Sequence, residues 1–170
     1  MGTLEFFRER VFSIRLRQKP SATRRQLHQH EELRTQLART QHVVTEVAND
    51  VKAGRRPAGT VRAVSRDLSG LETSLTRHFG SEESSSALDD VLRAAPRHYA
   101  RAKALVAQHR TLRREMSAIR ELGEICGRSA ERWSELQWRL AAFGRKLHAH
   151  ERAENEIASK VLYEDIGTQD

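Results

Sequence analysis

The sequence predicts an all-α protein, an antiparallel up-down-up-down four-helix bundle with a short N-terminal helical extension. Three observations lead to this. Apolar residues recur every three or four positions nearly throughout the 170 residues, the mark of amphipathic helices. Glycine (9) and proline (3) are few, aromatic residues make up 5%, and 31% of residues are charged, a mixture that suits long helices with solvated faces. Strong breaks cut the pattern at three places. Gly54-Arg55-Arg56-Pro57-Ala58-Gly59 is a loop signal. Ala94-Ala95-Pro96 puts a proline where a new helix can begin. The stretch from Gly123 to Ser129, with Gly127 inside it, reads as a helix end followed by a serine cap.

These breaks predict helices over 21–53, 60–93, 96–124 and 129–165, within one domain spanning 21–170 behind an extension of residues 1–20. The extension carries Leu4, Phe7, Val11 and Ile14 at helical spacing. It suits a short helix docked on the bundle, or alternatively a segment for a protein partner or a membrane surface. The first bundle helix has the stripe Leu27, His30, Leu33, Leu37, Val44, Val47, Val51. The second reads Val64, Leu68, Leu71, Leu75, His78, Glu82, and the serines at 84–86 are expected to loosen it towards its end. The third reads Ala102, Leu105, His109, Leu112, Met116, Ile119, and the fourth Leu136, Leu140, Phe143, Leu147, His150, Glu154, Ile157, Val161. In each helix one histidine takes the place of an apolar residue.

Leu75-x-x-His78-x-x-x-Glu82 recurs as Leu147-x-x-His150-x-x-x-Glu154. A buried imidazole beside a buried carboxylate is costly unless something satisfies both. The four stripe histidines also share a level. In an up-down bundle two residues sit at equal height when the turn lies midway between them. The midpoints of His30 and His78, of His78 and His109, and of His109 and His150 fall at Gly54, just before Pro96, and beside Ser129. A three-residue error in a turn shifts the height by only about 5 Å. Glu82 and Glu154 follow their histidines by one turn on helices of the same direction, so they face each other across the core. Two such carboxylates repel unless cations lie between them. Each can bridge two metals while two histidines complete each ion's protein shell. Imidazole and carboxylate suit non-haem iron, with manganese or zinc as alternatives. His28, His42, His98 and His148 fall off the stripes or far from this level and are expected not to be ligands.

Several function classes drop out. Cys126 is the single cysteine, so no internal disulfide framework exists, and a reducing, cytoplasmic setting is expected. No apolar run reaches membrane-spanning length. Arg8, Glu9, Arg10, Arg15 and Arg17 interrupt any signal-peptide core at the N-terminus. The net charge of +7 permits an anionic partner, but the basic residues are scattered among glutamates without an aromatic series, which disfavours nucleic acid. No glycine-rich phosphate loop and no cysteine zinc spacing occurs.

The segments His30-Glu31-Glu32-Leu33, Leu75-x-x-His78-Phe79-x-x-Glu82-Glu83, Gln108-His109-x-x-Leu112 and Leu147-x-x-His150-x-x-x-Glu154 resemble the hemerythrin-like family, the His-His-Glu cation-binding proteins. The tail from Tyr163 to Asp170 is similar to the ending of some bacterial members. The resemblance implies two carboxylate-bridged non-haem irons, with His30, His78, His109 and His150 as terminal ligands and Glu82 and Glu154 as bridges. Family members bind oxygen, sense oxygen, nitric oxide or iron, or react with peroxide. The oxygen-carrying members have a further histidine four residues before the position of His109; here that residue is Leu105. This departure leaves more positions for small ligands and weighs against simple reversible oxygen carriage. Leu105 alternatively just covers the site. A binding or sensing protein for a diatomic ligand or peroxide is therefore expected. The enzyme alternative is a di-iron peroxidase, oxidase or iron-oxidising protein. A metal-free interaction bundle ranks third.

Overall fold

The computed structural model of the chain describes residues 3–55, 60–84 and 96–167, with side chains described over 28–55, 61–84 and 96–160. Among the described residues there are four α-helices and no strand: α1 (Thr3–Lys52), α2 (Thr60–Ser84), α3 (Tyr99–Ile125) and α4 (Ala130–Gly167), with a 3-10 turn at Pro96–His98 leading into α3. They form a four-helix bundle in which α1 packs on α2, α2 on α3, α3 on α4, and α4 back on α1.

The breaks have clear local causes. Gly54 takes φ +70° just past α1, where its N–H reaches the Val51 carbonyl at 3.0 Å and that of Arg55 reaches Asp50 at 2.9 Å. Gly127 takes φ +52° just past α3. Glycine adopts this left-handed conformation without a Cβ penalty, so both helices end there. Ser129 then caps α4: the Arg132 N–H donates to its Oγ at 3.2 Å, which satisfies one orphaned amide of the first turn. Trp133 is fully buried, and its indole N–H donates to the Gly127 carbonyl at 3.2 Å, tying the turn to the core.

The N-terminal extension is helical and continuous with the first bundle helix: α1 begins at Thr3 and runs on through Pro20 to Lys52. Thr3 to Lys19 holds neither glycine nor proline, so nothing in it breaks a helix, and Pro20 removes one amide without ending the helix. The docking expected of Leu4, Phe7, Val11 and Ile14 concerns side chains outside the described set. Residues 85–93, expected to continue the second helix and holding the rest of the serine run, lie outside the described residues.

Paired residues climb along one helix as they fall along its neighbour. On α1 and α4 the pairs are Arg34 with Glu151, Gln41 with the Leu140 carbonyl, and Thr45 with Gln137. On α2 and α3 they are Glu72 with Arg120 and Glu83 with Arg113. On α3 and α4 they are Arg101 with Glu156, Gln108 with His150, and Glu115 with Lys146. The core fills the space between the four stripes. Leu33, Leu37, Val44 and Val47 come from α1, Val64, Leu68, Leu71 and Leu75 from α2, Leu112, Met116 and Ile119 from α3, and Leu136, Leu140, Phe143 and Leu147 from α4. This continuous apolar column stops at one level, where the buried residues become polar: His30, His78, His109 and His150. Among the described residues no helix is long and apolar enough to cross a membrane.

Candidate metal centre

The four stripe histidines meet at this level, one from each helix, each with at most 2% of its surface exposed. The rings of His30 and His78 lie edge to face with centroids 4.8 Å apart, and those of His109 and His150 do the same at 4.9 Å. Phe79 forms the floor. Its ring stacks on His109 at 4.1 Å, nearly parallel, and meets His150 edge-on at 5.5 Å. It is completely buried, so the polar layer rests directly on the hydrophobic column.

Glu82 and Glu154 enter one turn beyond their histidines, and each divides its two oxygens between the two histidine pairs. Glu82 presents Oε1 to His78 at 3.3 Å and His30 at 3.8 Å, and Oε2 to His109 at 3.5 Å. Glu154 presents Oε2 to His30 at 3.5 Å, and Oε1 to His150 at 2.9 Å and His109 at 3.5 Å. Every imidazole atom in these contacts is an Nε2. Two overlapping groups of four can each hold a metal ion: His30, His78, Glu82 and Glu154, and Glu82, His109, His150 and Glu154.

The residues present fit metal ions on three counts. Two atoms bound to one first-row ion at about 2.1 Å stand roughly 3.0–3.4 Å apart, close to the spacing seen here. His30 Nε2, His78 Nε2 and Glu154 Oε2 are buried and near opposite charge, yet make no hydrogen bond of acceptable geometry. Such atoms are costly to bury unless a further group satisfies them. The donors are imidazole and carboxylate without thiolate, a set suited to iron, manganese or zinc.

The electrostatics agree. Burial alone lowers the basicity of His30, but the Glu154 and Glu82 carboxylates against its ring prevail and raise its pKa to about 9. For His78 burial is the larger effect and lowers the value, although Glu82 opposes it. Burial disfavours the Glu154 carboxylate anion, but the imidazoles of His109, His150 and His30 close against it overcome that and hold it far below the usual carboxylate range. Glu154 is thus held in the ionised form that a cation ligand needs.

Among the other histidines, His28, His42 and His148 are exposed and His98 is half-buried, none of them in either group. Leu105 is buried. Cys126 is remote, next to the far turn; its thiol donates to the Leu122 carbonyl, and burial raises its pKa to about 11. Arg34 and Arg113 grip carboxylates of this same chain, Glu151 and Glu83. Sequence reasoning gave no role to Glu151, which is 1% exposed. A usable signal existed: the two arginines stand at the same offset, four residues after His30 and after His109.

No family model matches the chain, and no match is found among the curated proteins or the solved structures.

Proposed function

We propose that this chain is a hemerythrin-like, non-haem di-iron protein that binds or senses oxygen, nitric oxide, peroxide or iron. The observation that carries the reading is the division of the Glu82 and Glu154 oxygens between two histidine pairs. A carboxylate that only neutralises one imidazolium has no need to turn its second oxygen to another pair. Two carboxylates that both do so have the arrangement of bridges between two cations.

The chain's own residues prepare such a site. On metal binding the imidazoles would offer their Nε2 lone pairs inward, and the two carboxylates would offset the charge of the ions. Phe79 and the leucines beneath it keep water out from below. Each group supplies four protein atoms, fewer than the six that an octahedral ion takes. When bound, the irons supply reversible redox chemistry and open positions for a small ligand. The carboxylates are the most accessible members, with 15% of the Glu82 side chain and 12% of that of Glu154 exposed, so an approach to the centre passes beside them. Among the described residues no tyrosine, tryptophan or cysteine adjoins the cluster: Tyr99 is exposed, and Trp133 and Cys126 lie at the other end of the bundle. This favours binding or sensing over a turnover that draws on a protein radical.

Anaerobic titration of the iron-loaded protein with oxygen and with nitric oxide tests the proposal. A saturable absorption change in the near-ultraviolet and visible range is expected, stoichiometric with the centre and lost in Glu82→Ala and Glu154→Ala. Sustained peroxide or ferrous-ion consumption over many turnovers would reassign the protein as a di-iron redox enzyme. An unchanged spectrum under both gases would remove the reading.

A further inference from the structure

All four inward nitrogens are Nε2, so each ring turns its Nδ1 away from the centre. What those outer nitrogens meet follows a repeat. α1 carries Gln29-His30 with Arg34 one turn on, and α3 carries Gln108-His109 with Arg113 one turn on. Each glutamine reaches across to the next helix. Gln29 Oε1 lies 3.5 Å from His78 Nδ1, and Gln108 Oε1 lies 3.1 Å from His150 Nδ1. An amide oxygen only accepts, so both rings donate from Nδ1, with Nε2 turned to the centre.

The arginines continue the repeat. Arg113 donates to both oxygens of Glu83 on α2, at 2.8 and 3.1 Å, and Glu83 Oε1 lies 3.0 Å from His109 Nδ1. In the other half, Arg34 Nε donates to Glu151 Oε2 on α4 at 2.8 Å, with the partly exposed His148 ring 3.5 Å from the same oxygen. Glu151 Oε1 and His30 Nδ1 are both buried without a hydrogen-bond partner. They are the two atoms that would complete the pattern.

We propose that Glu83 and Glu151 are twin outer carboxylates, each held by an arginine, with Glu151 accepting from His30 Nδ1 as Glu83 does from His109. The repeat is spatial rather than sequential, because Glu83 follows His78 by five residues whereas Glu151 follows His150 by one. Each metal position then has one carboxylate-backed and one amide-backed imidazole. A carboxylate behind a ligating histidine fixes the ring, makes its Nε2 a stronger donor and favours the more highly charged metal state. The two halves differ in strength. The Glu151 side chain is 1% exposed and that of Glu83 is 35%, so solvent screens the second far more. The His30–His78 position therefore feels the stronger outer charge, and the two ions are inequivalent although their direct ligands match. Both glutamates are positioning residues.

The assignment rests on the metal reading above, and zinc separates the two. Wild-type protein, Glu151→Gln and Glu83→Gln are loaded with zinc and challenged with a chromophoric chelator, and the histidine Nδ1–H resonances of the loaded proteins are recorded by NMR. Each variant is expected to hold zinc about 10–100-fold more weakly, Glu151→Gln the more so. The hydrogen-bonded Nδ1–H resonance of His30 should move in Glu151→Gln alone, and that of His109 in Glu83→Gln alone. A merely structural role would lower stability without moving those resonances. Zinc retention equal to wild type with the resonances unmoved overturns the proposal while leaving the metal centre standing. A wild-type protein that takes up no zinc overturns both. Should Glu151→Gln fail to fold, the more exposed Glu83→Gln decides: an unchanged His109 resonance there rejects the twin arrangement.

Discussion

His30 and Glu154 show what single side chains contribute when no ion is bound. With its pKa raised from the usual value near 6.5 to about 9, His30 is protonated at neutral pH in the metal-free protein. Its folded value exceeds its unfolded one, so its contribution to stability is complete below about pH 6.5 and is lost as the pH rises through about 9. Glu154 is depressed, so its contribution is present above about pH 4.5 and disappears in stronger acid. His78, lowered by burial, loses stability as the pH falls below about 6.5, which narrows the favourable range from the acid side. Metal-free protein should therefore show a lower urea midpoint at pH 9.5 than at pH 6.5; a higher one would mean that His30 does not sit between the two carboxylates. These six residues were legible in the sequence because a histidine or glutamate in an apolar stripe stands out. Glu151 was not, because it lies off the apolar stripe of its helix and its ion-pair partner, Arg34, crosses from α1.

At the scale of single elements, the turns carried the most information. Gly54 and Gly127 end helices through backbone conformation, and Ser129 begins the next through its hydroxyl, so local chemistry alone marked these boundaries. Pro20, by contrast, lies inside α1, and the helix passes through it. Two helical glycines give opposite expectations. A Cβ at Gly80 on α2 meets nothing within 4 Å, so Gly80→Ala should stabilise the protein by about 1 kcal/mol through helix propensity. A Cβ at Gly123 on α3 falls 2.5 Å from Leu68 Cδ1, which is fully buried and has little room to retreat. Overpacking costs roughly 1–3 kcal/mol and offsets the propensity gain, so Gly123→Ala should lower stability. Urea midpoints of the two variants check both signs, and a stabilised Gly123→Ala would contradict the close approach of α2 and α3.

For the whole molecule, the arrangement follows from symmetry about the turns. Four residues placed midway about successive turns meet at one height whatever the details of packing, which is why the histidine layer could be anticipated from numbering. The outer partners could not, because they depend on which side chains cross between helices. The basic residues, which give the chain its net charge of +7, are in many cases paired with neighbouring acids, as at Arg39 and Asp67, Arg120 and Glu72, and Lys146 and Glu115. Among the described residues the apolar column ends at one polar layer, and the two histidine–carboxylate groups lie in that layer.

The central claim is tested most directly by counting metal ions per chain with native mass spectrometry after anaerobic loading with ferrous iron. Two ions are predicted for the wild-type chain and fewer than two for Glu154→Ala at the same metal activity, since that substitution takes an oxygen from both positions. A wild-type chain that carries no iron, or a Glu154→Ala chain that still carries two, would contradict it.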